Sequence, residues 1–172
     1  MTEQEFAALM KQHNTHVFRF VRRMVGDEAV AEDITQDAFI KAWNSINSFD
    51  PEKKFSTWIF QIAKNTAVDV MRKKKIPAIS AIQHADYDGE IIDTVADVTP
   101  LPPQVLASAE QAHEVRQALE SLAPHEAQII QLHLEEDMTF ADIADLLEEP
   151  IDTIKSRYRR TLLKLRAKFA PK

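Results

Sequence analysis

Apolar side chains recur at intervals of three and four along nearly the whole chain, and only Gly26 and Gly89 supply glycine among its 172 residues. That period belongs to amphipathic helices, whose apolar positions fall on one stripe. So little glycine is poor material for a turn-rich β sandwich or for phosphate-cradling loops. Phe6, Leu9, Met10, Val17, Phe20, Val21 and Met24 form the first stripe, which Gly26-Asp27 stops. A second helix fits residues 28–47, with Ile34, Ala38, Phe39 and Trp43 on one side, and Asp50-Pro51 breaks it. A third fits 55–75, burying Trp58, Ile59, Ile62, Ala63, Thr66, Val70 and Met71 and ending in Arg72-Lys73-Lys74-Lys75. Trp43 and Trp58 lie in register with these stripes and are expected in the core. Three such helices with short joints make a bundle.

Beyond it the pattern changes. Pro77, Pro100, Pro102 and Pro103 interrupt the period, and Asp86, Asp88, Glu90, Asp93 and Asp97 dominate the charge, so residues 76–105 read as an acidic, extended linker. Helical spacing returns over 106–172. One helix fits 108–122 and another 124–135, with Pro124 suited to a first turn. Thr139 is placed to cap a short helix ending near Leu147. A joint at Glu148–Pro150 then leads into a long helix from Ile151 or Asp152 to Phe169. The expected fold is all-α: two small helical bundles, 1–75 and 106–172, joined by an acidic Pro-containing linker.

The formal charge of −6 conceals a strong segregation. Residues 1–83 carry 12 basic and 10 acidic side chains; residues 84–152 carry Arg116 alone against 17 acids; residues 153–172 carry 8 basic side chains and no acid. Binding to nucleic acid depends on where positive charge is concentrated, and the last block concentrates it.

Several function classes drop out. With no Cys there is no disulfide scaffold, thiol nucleophile or Cys-ligated zinc. His13, His16, His84, His113, His125 and His133 lack the spacing of a hydrolytic zinc site, so no metal is expected. No G-x-S-x-G, P-loop or dinucleotide-binding strand is present, so no enzymatic activity and no cofactor are expected. The opening MTEQEFAALMKQH is acidic and polar where a signal peptide is basic and then apolar, and no apolar run approaches a membrane span. The chain is expected to be cytoplasmic, without insertion into a membrane.

The last two helices carry the most specific geometry. Phe140, Ile143, Ala144 and Leu147 face inward on the first, and Ile154, Tyr158, Leu162, Leu165 and Phe169 on the second. Asp152, Lys155, Ser156, Arg159 and Arg160 are thereby turned to solvent. A short helix, a tight joint and a basic helix describe a helix-turn-helix, whose second helix enters the major groove. Thr153, Lys155, Ser156, Arg159 and Arg160 can then reach base edges and phosphates. An ordinary helical hairpin with a solvated basic face is the alternative.

The stretch 134–160, LEEDMTFADIADLLEEPIDTIKSRYRR, resembles the helix-turn-helix of sigma domain four in extracytoplasmic-function (ECF) sigma factors. The match runs through Phe140-Ala141-Asp142-Ile143-Ala144 and Pro150-Ile151-Asp152-Thr153-Ile154-Lys155-Ser156-Arg157. It implies that Thr153, Lys155, Ser156, Arg157, Arg159 and Arg160 read the minus-35 duplex. The chain departs from the family at Asp152, usually Gly, and at Glu148 or Glu149, often small or neutral. An acid at the mouth of the reading helix repels phosphate, although it suits the helix dipole.

Residues 31–75 resemble sigma domain two of the same family, with Asp33, Gln36, Asp37, Ala38, Phe39, Trp43, Phe49, Phe55, Thr57-Trp58, Ile62-Ala63, Asn65, Asp69 and Arg72 in the family's order. The resemblance implies an alternative sigma factor that binds RNA polymerase core and directs promoter recognition and transcription initiation. Glu32, Asp33, Gln36, Asp37 and Phe39 would dock the β′ clamp helices; a merely solvated acidic face is the alternative. Lys41, Phe49, Lys53, Lys54, Asn65 and Arg72 would hold the minus-10 strand. There Phe49 offers a π face to a flipped base, Asn65 a donor–acceptor pair, and the lysines neutralise phosphate. Phe49 could equally plug the core, and Asp69 with Arg72 could form a surface ion pair. The linker would thread the polymerase as a polyanion resembling the transcript, or simply stay extended. The expected partners are the polymerase core, promoter DNA and an anti-sigma factor. A stand-alone helix-turn-helix regulator and a protein-binding helical adaptor are the rival functions.

Overall fold

The computed structural model describes residues 1–75, 118 and 121–169, so the acidic linker and most of the helix expected at 108–122 lie outside the described residues. The first bundle contains α1 (Glu3–Val25), α2 (Glu28–Asn44) and α3 (Phe55–Lys74). Each end has a local cause. Thr2 and Glu5 form a reciprocal capping box at the start of α1, with Glu5 N donating to Thr2 Oγ1 at 3.2 Å and Thr2 N to Glu5 Oε2 at 2.7 Å. The hydrogen bonds from the Thr2 backbone and hydroxyl hold the Glu5 carboxyl below its usual range. Gly26 closes α1 at φ 76°, the left-handed conformation that glycine adopts without steric cost. Asp27 then caps α2 by accepting from Val30 N at 2.8 Å. The second helix stops three residues short of the expected 47, because residues 46–48 tighten into a 3-10 turn.

The buried seam of the first bundle includes Val17, Phe20, Ile34, Ala38, Ile59, Phe60 and Ala63. Phe20 and Phe60 meet edge to face at 5.2 Å. Trp58, expected in the core, is half-buried and packs against it. Trp43 departs from expectation: it is 39% exposed, with its ring centroid 5.1 Å from that of Phe6, because it lines an open surface groove together with Met10 and Ile40.

The second bundle contains α4 (Pro124–Ile130), α5 (Phe140–Leu147) and α6 (Ile151–Phe169). Continuing α4, residues 131–135 widen into a π turn, with Glu136 N donating to Gln131 O at 3.3 Å. Ile129, Leu132, Met138, Ile143, Leu146 and Ile154 are almost fully buried. Thr139 caps α5 as expected, accepting from Asp142 N at 3.1 Å while Thr139 N donates to Asp142 Oδ2 at 2.9 Å. The two bundles abut: α1 packs on α4 and α3 on α5, and their buried residues form one continuous cluster. All regular structure among the described residues is helical.

Candidate nucleic-acid interface

The helix-turn-helix comes from a tight joint. Glu148 closes α5 at φ 57°, and Glu149 N donates to Ala144 O at 3.1 Å. Pro150 follows, and its carbonyl accepts from Ile154 N at 3.2 Å, so α6 starts at once. The seat of α6 is aromatic. His133 stacks on Phe140 at 4.3 Å, and Tyr158 meets the two edge-on at 4.9 and 5.1 Å. With Ile154, Tyr158, Leu162 and Leu165 buried, α6 turns Asp152, Lys155 and Ser156 to solvent, with Thr153, Arg159 and Arg160 half-buried beside them.

Arg157 is not on that face. It is 4% exposed, and its guanidinium pairs with Glu149 at 2.8 Å, bracing the reading helix against the joint. Glu149, one of the acids at odds with the family pattern, therefore has a structural use. Burying this cation is tolerable because it is paired.

On α2, Glu32, Asp33 and Gln36 are exposed together, and Asp37 is half-buried with an ion pair to Lys41 at 2.9 Å. Phe39, expected among them, is 4% exposed and belongs to the core. Beside the acidic row runs an apolar groove lined by Phe6, Met10, Gln36, Phe39, Ile40 and Trp43. Ile40 is 59% exposed there, a feature that the sequence reading missed although Ile40 lies off the buried stripe.

The residues expected at the minus-10 strand spread along the α2–α3 joint and the outer side of α3. Phe49 is half-buried, 5.1 Å from Trp58 and 5.8 Å from Phe55, and it also lines a pocket with Met1, Leu9, Ile46 and Pro51. Lys53 and Asn65 are exposed, with Asn65 Oδ1 accepting from Gln61 at 3.2 Å. Lys41 donates to Thr66 Oγ1 at 3.2 Å. Asp69 and Arg72 form the surface pair that their spacing allowed, at 3.0 Å.

Sequence reasoning had no access to the groups that join the bundles. His13 Nδ1 lies 2.9 Å from Glu136 Oε2, and His16 holds the other oxygen of the same carboxylate. Burial pushes the Glu136 carboxyl up, but the hydrogen bonds and charge of the two histidines more than offset this and hold it below the usual range. Arg19 pairs with Glu135 at 2.6 Å, and Gln131 Nε2 donates to His16 O at 2.7 Å. Lys54 pairs with Asp137 at 2.7 Å, and the buried Lys64 pairs with Glu148. Each lysine holds its partner carboxyl below the usual range. Among the described residues no group of three His, Asp or Glu side chains is arranged to hold a metal, and no helix is long and apolar enough to cross a membrane.

Comparison with known proteins places both halves. Residues 9–76 match Sigma-70 region 2 and residues 118–167 match Sigma-70, region 4. The ECF RNA polymerase sigma factor SigW of Bacillus subtilis is 32% identical, across 92% of this chain and 85% of its own length. The ECF RNA polymerase sigma-E factor of Haemophilus influenzae is 27% identical, across 98% and 89%. Among solved structures, the sigma factor RpoE of Bartonella quintana, in complex with the anti-sigma factor NepR, aligns with a TM-score of 0.58 at 25% identity, covering 96% of this chain and 97% of that one. CnrH, in complex with the cytosolic domain of CnrY, shares the fold, with a TM-score of 0.54 at 22% identity over 96% and 88%. These relatives are named as sigma factors and not as enzymes. The chain belongs to the ECF sigma factors, alternative sigma factors that direct promoter recognition and transcription initiation.

Proposed function

We propose that this sigma factor docks on the β′ clamp helices of core polymerase through the acidic row of α2, holds the minus-10 strand along the α2–α3 joint and α3, and reads the minus-35 duplex with α6. Its working units are residues 1–75 and 106–172, joined by the acidic segment 76–105. The observation that carries the docking is the exposure of Glu32, Asp33 and Gln36 side by side, next to the open apolar groove. Charge there orients a basic partner, and the groove supplies the apolar area for affinity. Lys53, Lys54, Asn65 and Arg72 are the strand contacts, with Phe49 and Lys41 beside them. Thr153, Lys155, Ser156, Arg159 and Arg160 form the groove-facing set, and Arg157 supports it from beneath. An anti-sigma factor is a further partner, as NepR is for the solved relative RpoE. The protein works in the cytoplasm, where polymerase and promoter DNA meet.

Capture of core polymerase by wild type and by Glu32→Lys/Asp33→Lys, with folding checked by circular dichroism, tests the docking. Wild type should retain core and the variant should lose it. Equal retention would remove α2 from the docking surface. Arg159→Glu/Arg160→Glu should keep core and lose promoter DNA, an outcome that a protein-binding adaptor would not give.

A further inference from the structure

We propose that Asp152 is a specificity-determining residue: its carboxylate reads one cytosine of the minus-35 duplex by accepting a hydrogen bond from the 4-amino group in the major groove. The inference deepens the reading of α6 given above and rests on it.

Three acids stand at the joint and the start of α6, and two of them have structural partners. Glu148 holds Lys64, and Glu149 holds Arg157. Asp152 is exposed, and among the described residues it takes part in no ion pair and no side-chain hydrogen bond. Lys155 and Ser156 follow it by three and four residues, the spacings at which side chains of one helix meet, yet neither bonds to it. An acid in the first turn does suit the positive end of the helix. That benefit belongs to the free protein; on DNA the same charge opposes every phosphate it faces.

Position decides what Asp152 faces. In a helix-turn-helix the N-terminal residues of the second helix lie against base edges, and phosphates are held by side chains around them. Asp152 is the second residue of α6. Its outward row continues through the exposed Lys155 and Ser156 to the half-buried Arg159. Lys155, Arg159 and Arg160 outnumber the one acid, so this face still attracts the duplex while its leading end carries a carboxylate. Arg157 adds nothing to that attraction, because Glu149 answers it beneath the face.

The chemistry of the carboxylate then selects the base. Ionised, it can only accept hydrogen bonds. In the major groove guanine offers two acceptors, thymine an acceptor beside a methyl group, and adenine one donor beside one acceptor. Cytosine offers its amino donor. Opposite Asp152, guanine and thymine are repelled, adenine is half satisfied and cytosine is matched. A charge that weakens binding to duplex in general is offset where cytosine answers it, which widens the gap between right and wrong sequences.

The test uses holoenzyme reconstituted from core polymerase and the full chain, with a duplex library randomised across both promoter elements. Sequencing of the bound fraction should show an upstream position at which wild type prefers cytosine over guanine or thymine by about 5- to 150-fold, the range for one mismatched pair. Asp152→Ala should level that position and keep the others. Asp152→Asn keeps the size of the side chain and should move the preference to adenine, whose N6 and N7 an amide matches. A residue that only starts the helix would shift no base preference. N4-methylcytosine at that position keeps its pair with guanine but replaces the groove-facing amino hydrogen by a methyl group. It should weaken binding by wild type and leave Asp152→Ala unaffected.

Melting followed by circular dichroism checks that both variants fold. If both keep the wild-type base profile and merely bind every duplex more tightly, Asp152 is an electrostatic brake and the readout is refuted. Equal weakening of wild type and Asp152→Ala by N4-methylcytosine refutes it as well. Arg159→Glu/Arg160→Glu reports on the underlying reading. If that variant keeps the upstream profile, α6 is not the reader and both ideas fall; if it loses the profile while the Asp152 variants keep theirs, the cytosine contact alone falls.

Discussion

Replacing Arg157 with Met separates a brace from a DNA contact. The Arg157 side chain is 5% exposed, its Nη1 donates to both oxygens of Glu149 at 2.8 and 3.0 Å, and the Glu149 side chain is 17% exposed. Arg157→Met keeps the length and apolar stem of the side chain and removes the charge. Taking one partner from a buried ion pair costs about 3–5 kcal/mol, because the remaining charge stays in a poorly solvated site. Water that still reaches Glu149 lowers this to about 2–4 kcal/mol. With a denaturant slope near 1.5 kcal/mol/M for so small a unit, the urea midpoint of the second bundle should fall by roughly 1–3 M. Replacing both partners, Arg157→Met/Glu149→Leu, should recover much of the loss, because an apolar pair of similar volume leaves no charge behind.

Binding to duplex DNA over a salt series supplies the contrary test, at a temperature where every variant is folded. A side chain on a phosphate contributes about 0.9 to the slope of log affinity against log salt. Lys155→Ala should reduce the slope by about that amount, and Arg157→Met should leave it unchanged. A fall near 0.9 for Arg157→Met, with the urea midpoint unmoved, would make Arg157 a phosphate contact and refute the brace.

Two further outcomes follow from the structure. Glu136 faces His13 and His16 from α1, with the Arg19–Glu135 pair alongside, and its carboxyl is held below the ordinary 4.5. The folded chain therefore binds fewer protons there than the unfolded one, and the stabilisation is present above about pH 4.5 and lost as pH falls through the folded value. In urea titrations the advantage of wild type over Glu136→Gln should be full near pH 6 and shrink below pH 4.5; an advantage that grows toward acid would contradict this. Thr139→Ala removes the acceptor at the start of α5 and should lower the calorimetric stability of the second bundle by about 1 kcal/mol, without changing the salt slope on DNA.

The helices were legible because their causes are local. Gly26, Asp27 and Thr139 act within four residues of themselves, and the stripes through Phe20, Ile34 and Ile59 repeat within a turn or two. The exposed half of the α6 face was legible for the same reason: burying Ile154, Tyr158 and Leu162 leaves Lys155 and Ser156 outside. The interface between bundles was not. His13 meets Glu136 across 123 positions, Arg19 meets Glu135 across 116, and Lys64 meets Glu148 across 84. No periodicity reaches that far. Histidines at 13 and 16 with consecutive acids at 135, 136 and 137 are a weak signal until the π turn brings them together.

Arg157 shows how two kinds of sequence reasoning can diverge at one residue. Helical spacing alone did not put it among the outward positions, since it lies three residues from Ile154 and beside Tyr158, on the inward stripe. Family resemblance placed it in the DNA-reading set, because it stands inside the matching run. A motif records that a residue type is wanted at a position; the reason can be recognition or support. Here support accounts for the neighbours as well: Thr161, fully buried, donates its hydroxyl to Arg157 O at 2.8 Å, and Glu149 answers the guanidinium. A basic residue on the inward stripe of a reading helix is therefore expected to have an acid waiting in the joint, and the Glu148-Glu149 pair, out of place as a DNA-facing feature, supplies it while its first member reaches Lys64.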